Sequence, residues 1–409
     1  MWDFKSENTK THTHGFHTYP AMMIPQIAKK LITDYGTNAQ LLFDPYCGTG
    51  TSLVEANLAG INAVGSDLNP LARLLAKVKT TPIEIQTLKF HLHDFDQYLF
   101  RFRFGFDGAD SIIAPSFPRI DFWFSKDVKQ KLAVIKKYVD RIENNDISDF
   151  FKVALSQTIR DTSWTRNNEF KLYKMSSEQI KNFSPDPYGR MEFVLGRNFK
   201  SLIEFIEGRK NDSVSKVLNV NTIRSVRKNK VFNTGVDMVV TSPPYGDSAT
   251  TVAYGQFSTL ANQWLGFMEN GRTLDKDLMG GQRAVRLKKF KSEALNENIS
   301  EISKVDSKRV LDVVSFFSDY EKSIKNVSQL VNPGGISCYV VSNRNVRGTT
   351  VLTDQITKDF FENYGFEHID TFTRKISGKR MPRQNSPTGN VGKKVSLMNK
   401  EFIVVMQKN

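Results

Sequence analysis

The sequence predicts an α/β fold with a mostly parallel seven-stranded sheet, helices on both faces and a helical insertion. Short apolar runs of strand length recur along the 409 residues and alternate with amphipathic helical patterns. The first run leads directly into a glycine-rich turn and a helix, which is the arrangement of nucleotide-binding α/β units. Between residues 80 and 212 long helical patterns replace the strands, and they predict the insertion.

Seven apolar runs predict the strands, which are residues 41–43, 62–66, 217–221, 236–240, 336–342, 366–373 and 401–407. The last two runs would pair as an antiparallel hairpin, so that the final strand runs against the others. Helical patterns start at Pro25 and cover 52–58, 71–78, 127–143, 149–162, 192–206, 257–265, 310–330 and 352–364. Residues 268–308 lack a strong period, and the Asn-Pro-Gly-Gly sequence at 332–335 indicates a turn.

Composition narrows the class of protein. The formal net charge is +14, and residues 374–400 contain eight Lys or Arg but no Asp or Glu, which is typical of a polyanion binder. The sequence contains no run of about 18 apolar residues, so no membrane span is predicted. Residues 1–10 lack the apolar core of a signal peptide, and we therefore expect a cytoplasmic protein. Cys47 and Cys338 are too few for a disulfide framework or a cysteine zinc site.

Three of the six histidines, His12, His14 and His17, fall within six positions. A metal site there would need a second group of His or carboxylate ligands at suitable spacing. The sequence shows no such group, so we expect no metal.

The glycine-rich turn is Asp44–Thr51, with the sequence Asp-Pro-Tyr-Cys-Gly-Thr-Gly-Thr. Its glycines let the backbone approach a ligand closely. The second strand ends at Asp67, where a carboxylate can accept hydrogen bonds from the two hydroxyls of a ribose. Asp67 could instead, or in addition, cap the helix that starts near Leu71. For Cys47 we favour simple packing.

The second informative stretch is Thr241–Tyr245, Thr-Ser-Pro-Pro-Tyr, which directly follows the predicted strand 236–240. Two prolines fix φ near −65° and remove two backbone donors, so the loop is stiff and its carbonyls are free. Ser242 adds a hydroxyl and Tyr245 an aromatic face. These groups suit a planar base with an exocyclic amino group, although an isolated Ser-Pro-Pro-Tyr is also an ordinary turn.

Together the two motifs resemble the S-adenosylmethionine-dependent amino-methyltransferases of DNA, and the resemblance covers about two-thirds of the chain. It implies a Rossmann-like class I methyltransferase fold. The form with Ser before the prolines resembles the cytosine-N4 enzymes of restriction–modification systems, whereas adenine-N6 enzymes more often carry Asp. His17–Pro20 is similar to the family's N-terminal motif, which packs over the methionine end of the cofactor.

The resemblance implies a cofactor site for S-adenosylmethionine formed by Tyr19, Pro20, Asp44, Pro45, Cys47, Gly48, Gly50, Thr51, Asp67, Asn69, Asn221 and Thr241. Asn221 stands where the family often has an acid. The implied catalytic residues are Ser242, Pro243, Pro244 and Tyr245. The Ser242 hydroxyl and the Pro243 carbonyl would accept the amino hydrogens of a flipped-out base, and Tyr245 would stack on it. The chemistry needs no cysteine nucleophile.

The expected partner is double-stranded DNA, and a cognate restriction endonuclease is expected from the resemblance. Two basic runs would grip phosphates, and they contain Arg283, Arg286, Lys288, Lys289, Lys379, Arg380 and Arg383. The first run lies in 268–308, which we predict to be a mobile loop that orders on DNA, a solvated charged face being the alternative. Target recognition would fall to the insertion or to this loop.

We therefore divide the chain into 1–85 and 213–409, the two parts of the catalytic domain, and 86–212, a mostly helical insertion that would serve in target recognition. Other functions stay open. The protein could methylate adenine N6, or it could be an RNA amino-methyltransferase, since those enzymes share both motifs. It could also bind nucleic acid on an inactive methyltransferase scaffold, or methylate protein glutamine, which uses a similar loop.

Overall fold

The computed structural model describes residues 2–166, 171–224, 226, 229–247, 252–268, 271–376, 384–385, 395–396 and 400–409. The strands in chain order are β1 (Leu41–Asp44), β2 (Asn62–Ser66), β3 (Ser215–Leu218), β4 (Val236–Thr241), β5 (Val331–Val341), β6 (Arg344–Val346), β7 (Thr349–Val351), β8 (Phe366–Lys375), β9 (Gln384–Asn385), β10 (Val395–Ser396) and β11 (Lys400–Lys408).

The helices are α1 (Pro25–Tyr35), α2 (Thr51–Ala59), α3 (Pro70–Thr80), α4 (Ile85–Arg103), α5 (Ile120–Trp123), α6 (Lys126–Asp140), α7 (Asn145–Thr162), α8 (Ser177–Lys181), α9 (Pro187–Gly208), α10 (Tyr254–Trp264), α11 (Gly271–Asp277), α12 (Glu293–Val305), α13 (Arg309–Ser328) and α14 (Thr353–Glu362). Two short 3-10 helices cover His12–Phe16 and Lys230–Phe232. No helix among these residues is both long and apolar enough to span a membrane.

The main sheet has seven strands in the order β3-β2-β1-β4-β5-β11-β8. The first five strands in this order are parallel to one another, and β11 runs antiparallel to both β5 and β8. The predicted fold class is therefore confirmed, including the terminal antiparallel hairpin. The direction of winding reverses between β1 and β4, and open α/β sheets bind ligands in the crevice beyond the strand ends at such a point.

The two faces of the sheet carry separate apolar cores because side chains alternate along each strand. Phe43 of β1 and Val239 of β4 pack on one face with residues of α12, α13 and α14. Leu42 and Met238, their neighbours in sequence, pack on the other face with residues of α1 and α2. Helices thus cover both faces, as the sequence predicted.

Helices α4–α9 lie between β2 and β3 and form the helical insertion. The most buried of them is α7, whose Phe150 and Phe151 are inaccessible to solvent. These residues share one core with Val54 of α2 and Leu71 of α3. The insertion therefore packs directly on the helices that follow the glycine-rich turn. The boundaries at 85/86 and 212/213 stay a prediction.

The structure corrects three details. Residues 271–277 and 293–305 form the helices α11 and α12, so the predicted mobile loop over 268–308 is wrong for these residues. In α12 the N-cap Ser292 accepts from the Leu295 N–H, and Leu295, Ile299 and Ile302 are buried at helical spacing. The period was missed because so few apolar residues carry it among polar ones. Strand β3 ends at Leu218, three residues earlier than predicted. Strand β5 starts at Val331 and takes in the predicted turn at 332–335, with an irregular register against β4.

Candidate cofactor and catalytic site

A cavity lies beyond the carboxyl ends of β1, β2 and β4, where the winding of the sheet reverses. Twelve of the sequence-predicted residues line it, and they are Tyr19, Pro20, Asp44, Pro45, Cys47, Gly48, Thr51, Asp67, Asn69, Asn221, Ser242 and Pro244. Four others, Gly50, Thr241, Pro243 and Tyr245, are not among its lining residues. The two motifs, far apart in sequence, therefore share one cavity.

The glycine-rich turn needs its two glycines for different reasons. Gly48 has φ +48° and Gly50 has φ +82°, a left-handed backbone that residues with a side chain rarely adopt. At Gly50, the N-cap of α2, a Cβ would also lie 3.0 Å from the Cα of Ala76 on α3. Gly50 thus acts behind the cavity, by letting α3 approach the start of α2.

Cys47 in the same turn is 5% exposed and belongs to the apolar core below it. Burial raises the pKa of its thiol. This agrees with the predicted packing role, although the residue also contributes to the cavity wall.

Asp44 and Thr241 tie the ends of β1 and β4 together. The Thr241 hydroxyl donates to Asp44 Oδ1 at 2.5 Å, and the Tyr46 N–H donates to the same oxygen at 3.1 Å. Burial raises the pKa of the Asp44 carboxyl to about 6, while these hydrogen bonds act in the opposite direction. Thr241 therefore supports the site from behind through Asp44.

Asp67 holds the glycine-rich turn against the end of β2. Its carboxylate accepts from the Gly48 N–H at 3.1 Å and from the Asn69 N–H at 2.8 Å. Burial raises the pKa of this carboxyl. The alternative role as helix N-cap is wrong, because Asn69 is the N-cap of α3 and accepts from the Leu71 N–H.

Asn69 also connects the N-terminal motif to α10. Its Nδ2 donates to the Tyr19 hydroxyl at 2.8 Å and to Ser258 Oγ at 2.7 Å. The Tyr19 ring stacks on Tyr254, with centroids 6.0 Å apart and planes 21° apart. The N-terminal motif is thus fixed over the cavity by side chains from α3 and α10.

Tyr254 was not predicted as a site residue, because the predicted helix starts at residue 257. It is the first residue of α10, and Phe257, Leu260 and Ala261 of that helix are buried. Their spacing from Tyr254 is the signal that could have placed it on the same helix face. Met22, Thr49 and Met279 line the cavity as well and were also missed.

Asn221 lies in the loop after β3 and lines the cavity. Its Oδ1 accepts from the Ile223 N–H at 3.0 Å, which closes a local turn. The side-chain oxygen is therefore engaged with the backbone of its own loop.

Lys79 is a buried cation next to the turn that the sequence did not single out. Its Nζ donates to Thr49 Oγ1 at 3.0 Å. Burial lowers the pKa of Lys79 to about 7.

The Ser242 loop is braced by the last strand. Ser242 Oγ and the Tyr245 hydroxyl lie 3.2 Å apart, and the Tyr245 hydroxyl donates to Glu401 Oε1 of β11 at 3.1 Å. Arg374 of β8 donates to Glu401 Oε2 at 2.8 Å. No local pattern marks Glu401, and it was not predicted. Arg374, which counted toward the basic segment, is buried in this ion pair.

The histidines have structural partners. His14 Nε2 lies 2.7 Å from Glu55 Oε1, and His17 Nδ1 donates to the Thr18 carbonyl at 2.6 Å. Within the ranges given above, no group of three or more His, Cys, Asp or Glu could hold a metal ion.

The predicted DNA contacts separate into two kinds. Arg283 is paired with Asp312 at 2.5 Å, and Lys288 with Glu321 at 2.6 Å. Arg286 and Lys289 are exposed and form no ion pair with any described residue. Lys379, Arg380 and Arg383 lie outside the described residues.

Comparison with known proteins points to a methyltransferase. Residues 16–101, which include the glycine-rich turn, match the family model described as RMKL-like, methyltransferase domain. The chain is 37% identical to the type II methyltransferase M.MvaI of Kocuria varians over 425 residues, which cover 99% of this chain and 93% of that protein. It is 27% identical to the type II methyltransferase M.MjaII of Methanocaldococcus jannaschii over 239 residues, covering 57% and 43% of the two chains.

Among solved structures, the rRNA methyltransferase aviRa of Streptomyces viridochromogenes aligns over 96% of this chain and 88% of its own, with 9% identity and a TM-score of 0.33.

The fold and these comparisons therefore define a methyltransferase of the Rossmann-like class. The full-length similarity goes further, and the chain belongs to the type II methyltransferases, the DNA methylases of restriction–modification systems. Membership implies S-adenosylmethionine as the methyl donor and DNA as the substrate.

Proposed function

We propose that this protein is a site-specific DNA methyltransferase that methylates the exocyclic N4 amino group of a flipped-out cytosine. The observation that carries the proposal is that Ser242 and Pro244 line the same cavity as the glycine-rich turn and Asp67. A methyl donor held by the turn and a base held by the Ser242 loop would therefore meet in one space.

The cavity suits S-adenosylmethionine by the chemistry of its walls. Gly48 lets the backbone come close to a ligand, Asp67 offers carboxylate oxygens to a ribose, and Met22 and Leu68 supply apolar surface. Tyr19 and Pro20 of the N-terminal motif would cover the methionine end. When bound, S-adenosylmethionine supplies an electrophilic methyl group.

The chain's own task in catalysis is to make the base amino group nucleophilic. The lone pair of a cytosine N4 amino group is delocalised into the ring, so its two hydrogens must be held out of the ring plane. The Ser242 hydroxyl oxygen and the Pro243 carbonyl are the proposed acceptors, on a backbone that Pro243 and Pro244 stiffen. Positioning accounts for most of the rate acceleration in this scheme.

The assignment of cytosine rather than adenine as the target base rests on Ser242. A serine before the two prolines resembles the cytosine-N4 enzymes, and an acid at that position is more common in the adenine-N6 enzymes. The target base lies in a duplex, so it would have to leave the stack to reach Ser242.

DNA contacts outside the cavity complete the proposal. Arg286 and Lys289 are exposed and have no carboxylate partner among the described residues, so they suit phosphates better than Arg283 and Lys288 do. Recognition of the target sequence is assigned to the insertion at 86–212 or to the segment 268–308. A cognate restriction endonuclease is proposed from family membership alone.

Nucleoside mass spectrometry tests the proposal. Purified protein is incubated with S-adenosylmethionine and unmethylated genomic DNA, which is then digested and analysed. We expect N4-methylcytosine from the wild type and none from Ser242→Ala, because that variant lacks one acceptor for the amino hydrogens. The matched control is Ser6→Ala, an exposed serine outside both segments, and it should retain the product.

Each of the other possible outcomes contradicts a different part of the proposed function. N6-methyladenine would overturn the assignment to cytosine. Product from Ser242→Ala at the wild-type rate would remove Ser242 from the mechanism. Absence of any modified base from the wild type would contradict the proposed reaction on DNA.

A further inference from the structure

Ser242, Tyr245, Glu401 and Arg374 form a hydrogen-bonded chain that leads from the cavity to the last two strands of the sheet. Successive contacts are 3.2 Å from Ser242 Oγ to Tyr245 Oη, 3.1 Å from Tyr245 Oη to Glu401 Oε1, and 2.8 Å from Arg374 to Glu401 Oε2. The ion pair is secluded, since the Arg374 and Glu401 side chains are 6% and 11% exposed. Of these four residues, only Ser242 lines the cavity.

The direction of the protons in this chain follows from the donors available. A carboxylate only accepts, and a phenol has one proton to donate. Tyr245 therefore donates to Glu401, and its oxygen is left to accept the proton of Ser242. Burial, with the nearby negative charge of Glu401, raises the pKa of Tyr245 well above its usual value, so the phenol keeps its proton.

We propose that Glu401 is a positioning residue that acts through Tyr245 to fix the orientation of the Ser242 hydroxyl. The inference rests on the proposed function, in which the Ser242 oxygen accepts an amino hydrogen of the base. With its own proton directed to Tyr245, Ser242 presents lone pairs to the cavity. Without that partner the hydroxyl can rotate and present its proton to the amino hydrogens, which repel it.

The same contact bears on Tyr245. Because its hydroxyl is anchored to β11, the plane of the ring is held relative to the loop. The Tyr245 ring, which does not itself line the cavity, is thus fixed in position by the loop and β11 together.

The test is a set of steady-state methylation assays on unmethylated DNA with three variants, Tyr245→Phe, Glu401→Gln and the double variant. Tyr245→Phe keeps the ring but removes the acceptor for the Ser242 proton, so we expect kcat to fall about tenfold. The KM for DNA and the affinity for S-adenosylmethionine should change less than about threefold, since ground-state contacts remain.

The double variant separates positioning from general stabilisation. If Glu401 acts only through Tyr245, the double variant should have a kcat within about twofold of Tyr245→Phe alone. A double variant whose loss equals the product of the single losses would contradict the inference. A Tyr245→Phe enzyme with unchanged kcat would also contradict the inference. If Glu401→Gln fails to fold because Arg374 loses its charged partner, the kcat of Tyr245→Phe tests the inference alone.

Matched controls are Tyr364→Phe, at a partly exposed tyrosine that follows α14, and Glu367→Gln, at an exposed residue of β8, and both should leave kcat unchanged. The product formed by the wild type distinguishes failure of the proposed function from failure of the inference about Glu401. If the wild type yields no methylated cytosine, the proposed function fails. If it does yield that product and Tyr245→Phe turns over at the same kcat, only the inference fails.

Discussion

At the scale of single residues, His17 shows how burial determines a charge state. It is 3% exposed, and its Nδ1 hydrogen goes to the Thr18 carbonyl, which leaves Nε2 unprotonated. Burial lowers the pKa of His17 to about 3, and the positive charges of Arg160, Lys79 and Arg197 act in the same direction. The folded protein thus holds this histidine neutral.

The neutral state of His17 makes the folded protein less stable in acid. The usual pKa of histidine is about 6.5, so below that pH the unfolded chain binds a proton that the folded protein excludes. Between pH 6.5 and about 3 the free energy of unfolding should therefore fall as the pH falls, by about 1.4 kcal/mol per pH unit from His17 alone.

Urea unfolding at pH 7 and pH 5 measures the effect. The difference between the two pH values should be about 2 kcal/mol smaller in His17→Gln than in the wild type. Ser6→Ala, at an exposed residue without a titratable side chain, is the control and should keep the wild-type difference. An equal loss of stability in wild type and His17→Gln would contradict this account.

At the scale of elements, the close approach of α3 to the start of α2 depends on Gly50. Alanine there would have to adopt a left-handed backbone with φ +82°, and its Cβ would lie 3.0 Å from both the Cα and the Cβ of Ala76. Each effect is unfavourable. We expect Gly50→Ala to lower the free energy of unfolding by about 2–3 kcal/mol.

The matched control is Gly196→Ala in the middle of α9. Gly196 is exposed, and a Cβ there meets no atom within 4 Å. This substitution should raise the free energy of unfolding by about 0.5–1 kcal/mol, since glycine is a poor helix former. Equal effects of the two substitutions in denaturant unfolding would show that the conformation of the turn does not require Gly50.

Local pattern predicted the elements from β1 to α3 closely, because glycine, proline and apolar period act within a few residues. It failed where the cause is tertiary. Helix α12 depends on a few buried residues that pack against α13, α14 and β7, and the start of α10 is fixed by the stacking of Tyr254 on Tyr19. Glu401 carries no local signal at all, because only the pairing of β11 with β5 and β8 brings it to Tyr245.

At the scale of the whole molecule, the strand order explains why one cavity contains both motifs. Residues 44–51 follow β1 and residues 242–245 follow β4, and β1 pairs with β4 in the sheet. The sequence could predict both motifs and their chemistry, and the resemblance could predict that they meet. Neither the sequence nor the resemblance could predict that Thr241 would support the site through Asp44, since that contact requires the register of β1 and β4.

The central claim is that one cavity has two separable halves, a cofactor half at the glycine-rich turn and a base half at Ser242. The most direct test is calorimetric titration of S-adenosylmethionine into wild type and Ser242→Ala, using the preparations from the nucleoside assay. The account predicts dissociation constants within about threefold of each other, together with loss of methyl transfer in the variant. Loss of cofactor binding in Ser242→Ala, or full methyl transfer by it, would contradict the account.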